Sequence, residues 1–212
     1  MDIHSVYQIF QNYFRPARKR LFISAFPEVA GGRPVLDVGG TASWWQDDFP
    51  KKIDITIINI DDRQRDTVVS SGFKFMQADG RNLPFSDKEF FLTFSNSVIE
   101  HVGDFSDQEK FASESVRCSQ KLYLQTPNKW FPIEPHLIAP FVHWFPFKIS
   151  RRLIRYFSIW GIVNKPSQKR IDEFLSSIRL LSRKELKKIF PTANILEEKF
   201  LGLTKSFILI IK

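Results

Sequence analysis

Short runs of apolar, β-branched residues alternate along the chain with longer stretches in which apolar residues recur at helical spacing. Ile53–Ile60 is almost continuously apolar, which is typical of a strand buried on both faces of a parallel sheet. Shorter apolar runs predict further strands at Val35–Val38, Phe73–Gln77, Phe90–Phe94 and Lys121–Gln125. The segment Asp107–Cys118 has helical spacing. Strands that alternate with helices in this way predict βαβ units, a parallel sheet and an α/β fold.

The two ends of the chain add elements of a different kind. Ser5–Ala25 has helical spacing, and Pro16 within it predicts a break between two short helices, because proline lacks the N–H that a helix interior requires. Ala193–Phe200 and Lys205–Ile211 are rich in β-branched residues and lie close together in the sequence. We expect them to pair as an antiparallel hairpin at the edge of the sheet.

The segment that follows the run at Lys121–Gln125 has a different composition. Pro127–Pro146 contains five prolines with aromatic residues between them, so regular structure is repeatedly interrupted there. A basic amphipathic stretch, Ile149–Trp160, and a predicted helix, Gln168–Ser177, come next. Ser182 and Glu185 then form the S-x-x-E pattern of a capping box at a helix N-terminus.

The length of 212 residues suits one domain. We predict a single domain over residues 1–212, in which residues 1–32 form a helical N-terminal extension and residues from about 127 to 180 form a cap over the substrate site. The one cysteine, Cys118, excludes a disulfide within the chain and a multi-cysteine metal site. Met1–Phe10 lacks the basic flank of a secretory signal. We therefore expect a cytoplasmic protein, with contact to the inner face of the membrane as an alternative.

The net charge of +8 is concentrated in one part of the chain. Residues 145–190 carry 12 lysines and arginines against 3 acidic residues, a net charge of +9. Such a segment attracts phosphate, nucleic acid or an anionic membrane surface. Ordinary solvated helix faces would explain it equally well. Nowhere does an uncharged apolar stretch approach the ~20 residues that a membrane-spanning helix needs.

The most informative motif is Val35–Trp45, with the sequence VLDVGGTASWW. An apolar strand followed by glycines and small hydroxyl residues predicts a tight turn into a helix, where the backbone can approach a ligand closely. Asp37 lies just before that turn. A carboxylate there would repel the pyrophosphate of a dinucleotide, which this kind of turn otherwise holds. It would favour a positively charged ligand such as S-adenosylmethionine (SAM).

This motif resembles motif I of the class I SAM-dependent methyltransferases. IINIDD at Ile57–Asp62, QADGRNLPF at Gln77–Phe85 and FSNSVIEHV at Phe94–Val102 stand in the order and spacing of the next three motifs of that family. Together with QTPNKWFPIEPH they resemble a bacterial subgroup of the type-11 methyltransferase family. The resemblance implies a Rossmann-like, doubly wound, mostly parallel seven-stranded sheet with an antiparallel C-terminal hairpin. It also implies an α-helical and aromatic cap inserted after the fifth strand.

The resemblance further implies a set of cofactor-binding residues. They follow successive strands and comprise Asp37, Gly39, Gly40, Thr41, Asn59, Asp61, Asp79, Gly80, Asn96 and Ser97. Asp37 and Gly39 would border the methionine end of SAM, Asn59 or Asp61 would bind the ribose, and Asp79 would accept from the adenine amino group. Three departures from the family pattern stand out: the glycine turn is shortened, Trp44 and Trp45 follow it directly, and Phe91 stands where the family commonly has an acid before the fourth strand. The tryptophans either narrow the entrance or pack the helix.

The acceptor side of the site is predicted from the histidines. A hydroxyl acceptor needs a base, and a neutral histidine suits that role near pH 7. The candidate catalytic residues are His136 and His101: by the resemblance, His136 lies where related enzymes receive substrate, and His101 lies beside the cofactor. Glu134 would orient His136 or a substrate hydroxyl, or else be an ordinary surface acid. Trp130 and Arg151 are predicted to bind substrate. The spacing of the carboxylates indicates no metal site.

We therefore expect a SAM-dependent methyltransferase that produces S-adenosylhomocysteine and acts on a small-molecule or a lipid- or glycan-linked acceptor, with oxygen favoured as the acceptor atom. The alternatives are an RNA methyltransferase that uses residues 145–190, a non-catalytic SAM-binding protein, and an NAD-linked oxidoreductase. Nucleic acid is the less favoured partner, because no recognised RNA-binding module is evident. The sequence leaves the oligomeric state open.

Overall fold

The computed structural model describes residues 3–46, residue 49 and residues 53–212. Its centre is a seven-stranded sheet with the strand order β3-β2-β1-β4-β5-β9-β8. The strands are β1 (Val35–Val38), β2 (Ile55–Asn59), β3 (Lys74–Gln77), β4 (Phe90–Asn96), β5 (Ser119–Pro127), β8 (Asn194–Phe200) and β9 (Leu203–Ile211). β1 to β5 are parallel, whereas β9 pairs antiparallel with β5 and β8 antiparallel with β9. The predicted fold class is confirmed.

Helices cover both faces of the sheet and leave its central strands buried. The helices are α1 (Ile3–Ala25), α2 (Ala42–Trp45), α3 (Arg65–Ser70), α4 (Phe105–Arg117), α5 (Phe147–Phe157), α6 (Ile159–Asn164), α7 (Gln168–Ser177) and α8 (Arg183–Ile189). Every residue of β1 is buried, as expected of a strand inside a parallel sheet that is covered on both faces. α8 begins with the predicted capping box, in which Ser182 and Glu185 satisfy each other's backbone N–H groups.

The predicted break at Pro16 is wrong, because α1 runs without interruption from Ile3 to Ala25. A proline inside a helix costs about 3 kcal/mol, and the packing of α1 across the sheet offsets this cost. The ring of Phe22 is fully buried and lies 5.4 Å from Phe94 and 5.3 Å from Tyr123, centroid to centroid. Burial of large aromatic side chains against the sheet therefore keeps α1 continuous, although the local propensity of Pro16 favours a break.

The insert between β5 and α8 contains α5, α6 and α7 and, in addition, a small hairpin that the sequence did not predict. Its strands are β6 (Ile133–Glu134) and β7 (Ala139–Pro140). The insert has a small apolar core of its own, which includes Leu137, Val142, Ile154, Trp160 and Ile171. The predicted limits of the cap, at about residues 127 and 180, and of the N-terminal extension, residues 1–32, stay predictions. Met1 and Asp2 lie outside the described residues.

Candidate active site at the carboxyl edge of the sheet

The carboxyl ends of β1 to β5 meet at one edge of the sheet, and the strand order reverses between β1 and β4. Ligands of doubly wound folds bind in the crevice at such a reversal. The residues that were predicted to bind the cofactor lie at or just beyond the ends of β1, β2, β3 and β4. The topology therefore brings all four motifs to the same edge.

The side chain of Asp37, on β1, packs directly against Gly40 of the glycine turn. Its carboxylate is fully buried, and Oδ2 accepts a hydrogen bond of 2.7 Å from the indole Nε1 of Trp45. Oδ1 is also buried and has no hydrogen-bond partner among the described residues. Burial raises the pKa of Asp37 to about 7, and the hydrogen bond from Trp45 opposes this shift. Trp45 thus packs against the site with its polar edge on the acid.

The turn itself is too crowded for side chains on its glycines. A Cβ atom on Gly40 would lie 1.8 Å from Oδ2 of Asp37. Gly39 has a φ of +75°, which favours glycine, and a Cβ there would lie 2.7 Å from both methyl groups of Val98. Thr41 follows as the N-cap residue of α2, and its hydroxyl lies 3.0 Å from that of Ser43.

The two candidate ribose ligands have different surroundings. The amide of Asn59 donates to the carbonyl oxygen of Gly40 at 3.1 Å and so ties the end of β2 to the turn. Asp61 lies just beyond β2 and forms an ion pair of 2.5 Å with the exposed Arg63. The hydrogen bond from Arg63 lowers the pKa of Asp61. Asp61 is thus ionised and accessible, while Asn59 supports the turn.

Asp79 and Gly80 lie beyond β3. Both carboxylate oxygens of Asp79 accept hydrogen bonds from the guanidinium of Arg81, at 2.7 to 3.0 Å, and this contact lowers the pKa of Asp79. Arg81 also lies 3.2 Å from Asp107 of α4. A Cβ on Gly80 would lie 2.8 Å from the ring of Phe111. A ligand that reaches Asp79 therefore has to share it with Arg81.

Asn96 and Ser97 end β4 at the point where the strand order reverses. Ser97 has a φ of +56°, in the left-handed region that few side-chain-bearing residues adopt. Its hydroxyl donates to the side-chain oxygen of Gln125 at 2.8 Å. The side-chain oxygen of Asn96 accepts from Nη1 of Arg18 at 3.3 Å. Strained backbone at such a position is a common feature of functional sites.

The contact between Arg18 and Asn96 was not predicted. α1 lies across this edge and also places Arg15 3.3 Å from the hydroxyl of Ser43 and Lys19 3.1 Å from the carbonyl oxygen of Gln46. Nη2 of Arg18 forms a largely buried ion pair of 2.6 Å with Glu198 of β8. The basic cluster of α1 is visible in the sequence, but the methyltransferase motifs do not extend to it.

A second cluster lies where β5 leads into the cap. Glu134 is almost fully buried, and its Oε1 lies 2.7 Å from Nδ1 of His136. The other oxygen of Glu134 accepts from the backbone N–H of Leu137 at 2.7 Å. The structure thus brings Glu134 and His136 together as a carboxylate–histidine pair. This contact places the proton of a neutral His136 on Nδ1 and leaves Nε2 as the basic nitrogen.

Glu100 was not predicted as a site residue, although it lies within the FSNSVIEHV motif. It is fully buried, and its Oε2 accepts from the hydroxyl of Thr126 at 2.9 Å. Its Oε1 lies 4.0 Å from Nε2 of His136 and has no hydrogen-bond partner among the described residues. Burial raises the pKa of Glu100, and the charge of His136 opposes this shift.

The two predicted histidines lie side by side, with ring centroids 4.9 Å apart. Burial, and then the charge of His136, lower the pKa of His101 to about 4, so His101 is neutral at pH 7. Burial alone would lower the pKa of His136, but its hydrogen bond to Glu134 and the charges of Glu134 and Glu100 together raise the pKa. The surroundings therefore shift the two pKa values in opposite directions: His101 is a neutral ring, and His136 is the stronger base.

The donor atoms of Glu100, His101 and His136 lie within 4.8 Å of one another, and such a set can bind a divalent cation. Neighbouring ligands on a tetrahedral zinc ion lie about 3.3 Å apart, given Zn–N distances near 2.0 Å. The separation of 4.0 Å between His136 Nε2 and Glu100 Oε1 is wider than this. The expectation of a metal-free site stays a prediction.

The two predicted substrate-binding residues of the cap lie apart from this cluster. Trp130 is 60% exposed, and its ring lies 6.3 Å from that of Trp144. The guanidinium of Arg151 forms an ion pair of 2.5 Å with Asp172 of α7, which neutralises its charge locally. Their roles stay predictions, as do those of the cofactor residues.

Comparison with known proteins tests the resemblance. Residues 36–121, from β1 to the start of β5, match a family model described as a methyltransferase domain.

The matched segment, which is less than half of the chain, is similar to a methyltransferase domain.

A curated relative of the methyltransferase domain is an uncharacterized methyltransferase from Mycobacterium sp. (strain JLS). It is 31% identical over 103 residues, which are 47% of this chain and 40% of the relative. The match therefore spans less than half of either protein.

Solved structures with the same fold extend over more of the chain. The magnesium protoporphyrin IX methyltransferase of Synechocystis PCC 6803, solved with bound SAH, has a TM-score of 0.55 at 11% identity and covers 90% of this chain and 78% of its own. The CurJ carbon methyltransferase has a TM-score of 0.62 at 10% identity and covers 99% of this chain and 57% of its own. At these identities the likeness concerns the fold alone.

Proposed function

We propose that this protein transfers a methyl group from SAM to a hydroxyl group of an acceptor that binds beside His136. The observation that supports the choice of oxygen is the pair of the buried Glu134 and the partly buried His136, whose Oε1–Nδ1 distance is 2.7 Å. Such a pair is the arrangement that a general base needs: a histidine whose second nitrogen is held by a carboxylate.

The residues at the sheet edge fit SAM. Three acids, Asp37, Asp61 and Asp79, lie at or beyond the ends of the neighbouring strands β1, β2 and β3. This row of acids suits a ligand with an ammonium group, ribose hydroxyls and an adenine amino group, and it opposes a diphosphate. Oδ1 of Asp37 has no hydrogen-bond partner among the described residues, so this buried carboxylate retains an unused acceptor. SAM, when bound, supplies a methyl group activated by a sulfonium.

The protein's own part in the reaction is alignment and proton removal. Nε2 of His136 accepts the proton of the acceptor hydroxyl while the oxygen forms its bond to the methyl carbon, and the carbon–sulfur bond breaks. The imidazolium that results lies between the carboxylates of Glu134 and Glu100, at 2.7 and 4.0 Å. His101 stays neutral and adds no repulsive charge. Alignment in a dry site accounts for up to about 7–11 kcal/mol of the barrier in favourable cases.

The acceptor is a small molecule or a group carried on a lipid or glycan. The support for this class is the cap, which carries Glu134 and His136 on the β6–β7 hairpin and its connection. The insert presents aromatic and basic side chains, among them Trp130 and Arg151, that can bind a sugar or a phosphate. The alternative is an RNA acceptor that binds the basic segment 145–190. No contact of the described residues favours this alternative.

Isothermal titration of the full chain with SAM, S-adenosylhomocysteine and NAD tests the cofactor. We expect both sulfur compounds to bind and NAD not to bind. Asp79→Ala should weaken SAM binding by about tenfold or more, since a buried or shared hydrogen bond to a charged group contributes about 1.5–3 kcal/mol. Asp54→Ala is the matched control, because Asp54 pairs with Lys74 at the opposite end of the strands. Binding of NAD alone would refute the proposal.

A further inference from the structure

The outer surface of the cap carries a concentration of exposed apolar side chains. Among the described residues, more than half of the large apolar side chains that are exposed fall within the 23 residues 141–163. Six of them represent this surface, here called the cap face: Phe145, Phe147, Ile149, Tyr156, Phe157 and Ile162. Single exposed apolar residues are common on proteins, but a concentration of this kind marks an interaction surface.

The exposed side of α5 has two stripes, one apolar and one basic. Ile149 and Tyr156 are seven residues apart and therefore lie on the same side of the helix, as do the exposed Lys148 and Arg152, four residues apart. Ser150 and Ile154, which are buried, form the side that faces the cap core. The exposed side of α5 is thus half apolar and half basic, the pattern of a helix that lies in the surface of a membrane.

α6 continues the same surface as a fixed unit. A Cβ on Gly161 of α6 would lie 2.1 Å from the carbonyl oxygen of Ile154 of α5, so the two helices are in direct backbone contact. The hydroxyl of Ser158 donates to that same carbonyl oxygen at 2.6 Å and accepts from the N–H of Gly161 at 2.8 Å. Ile162 of α6 is therefore held in a constant position relative to Ile149 and Tyr156 of α5.

We propose that the cap face binds the surface of an anionic lipid bilayer. Residues 145–163, which include the cap face, carry four basic side chains and no acidic one, and this charge complements such a surface. An RNA-binding surface would use the basic and aromatic side chains, but RNA binding would not explain exposed aliphatic residues such as Ile149 and Ile162. A second copy of this chain would bring two surfaces of the same charge together. No helix among the described residues is both long and apolar enough to cross a bilayer, so the contact is with its surface.

The cap face is connected to the candidate active site through two ring contacts. Trp160 of α6 stacks on Phe174 of α7 at 5.4 Å, and Phe174 lies 6.5 Å from the ring of His136. A bilayer that touches the cap face is therefore close to the site that would accept the methyl group. This step rests on the proposed function, and it specifies the acceptor as the polar head of a membrane lipid or a lipid-linked sugar.

Flotation with lipid vesicles tests the surface without cofactor or acceptor. We expect the full chain to float with vesicles that contain phosphatidylcholine and phosphatidylglycerol, and to stay unbound with phosphatidylcholine alone. Ile149→Ser combined with Ile162→Ser should weaken binding about tenfold or more, given the apolar area that is lost. Leu201→Ser combined with Leu203→Ser is the matched control, since both leucines are exposed and lie on the C-terminal hairpin, outside α5 and α6.

A charge variant gives an independent test. Lys148→Glu combined with Arg152→Glu should abolish the preference for phosphatidylglycerol and leave the affinity for SAM unchanged, because neither residue lies at the sheet edge. Equal flotation of all variants, or no binding by the wild type to anionic vesicles, would overturn the proposal. Salt-dependent binding of a mixed-sequence RNA without vesicle binding would overturn it in favour of nucleic acid. Loss of SAM binding alone would count against the proposed function and leave vesicle binding as it is.

Discussion

Nδ1 of His136 lies 2.7 Å from Oε1 of Glu134, and the second oxygen of that carboxylate accepts the backbone N–H of Leu137. The hydrogen bond to Leu137 holds the carboxylate, and the carboxylate in turn holds the imidazole. The pair is short-range in sequence, but it becomes a candidate base only because the β6–β7 hairpin places it beside Glu100 and His101.

The pH dependence of turnover reports on this pair. A base acts only when deprotonated, and Glu134 helps to raise the pKa of His136 above its ordinary value of 6.5. Activity should therefore fall as the pH drops through that raised pKa. In Glu134→Gln the acidic limb of the profile should move to lower pH, and turnover should fall by about 10²-fold. The measurement is kcat and kcat/KM across pH 5 to 9, once an acceptor is known.

His143→Ala is the control for that profile, because His143 is a partly buried histidine whose Nε2 contacts the backbone oxygen of Lys129 in the cap. Its pH profile should match that of the wild type. An unshifted acidic limb in Glu134→Gln would mean that His136 is not the base.

The glycine turn is expected to tolerate no added methyl group at Gly40. Gly40→Ala would bring Cβ within 1.8 Å of the Asp37 carboxylate, which is fixed by Trp45. We expect a loss of about 1–3 kcal/mol in the free energy of unfolding and weaker SAM binding, measured by urea denaturation and calorimetry. Gly31→Ala is the control, since nothing lies within 4 Å of its added Cβ. Equal stability of the two variants would show that the turn is open.

The ion pair of Arg18 with Glu198 should support both the fold and the site. Burial alone would raise the pKa of Glu198, but the hydrogen bond and charge of Arg18 lower it to about 2. The stabilisation is thus present above the ordinary pKa of 4.5 and is lost as the pH falls towards 2. Arg18→Met should reduce the free energy of unfolding at pH 7 by about 3 kcal/mol and weaken SAM binding through Asn96.

The exposed pair of Arg183 and Glu197 provides the comparison. Arg183→Met should change stability by less than about 1 kcal/mol, because exposed ion pairs are well solvated. Urea denaturation at pH 7 and pH 3 distinguishes the two pairs. If Arg18→Met is as stable as Arg183→Met, the buried pair is not needed for the position of α1.

Removal of metal ions should leave methyl transfer unchanged. The expectation rests on the 4.0 Å separation of His136 Nε2 and Glu100 Oε1, which is too wide for adjacent ligands of a tetrahedral ion. Turnover is compared before and after treatment with EDTA, and again after zinc, manganese or magnesium is added back. Loss of activity with EDTA and its recovery with one ion would assign the cluster to that metal.

The sequence by itself determined the main strands of the sheet and their alternation with helices. The buried β-branched run of β2, the capping box at Ser182 and the strand alternation are local patterns, and a local pattern persists wherever the segment is placed. The resemblance in turn places Asp37, Asn59, Asp79 and Asn96 in order along the motifs, and parallel pairing then brings them to one edge.

Only the tertiary structure decided how distant segments meet. Pro16 lies in a continuous helix because α1 packs on the sheet, Arg18 reaches Asn96 across 78 positions, and Glu100 approaches His136 from another strand end. These contacts depend on the distances between packed elements and on burial of side chains that are far apart in sequence. No local spacing encodes such contacts, because their energy arises only when the whole chain has folded.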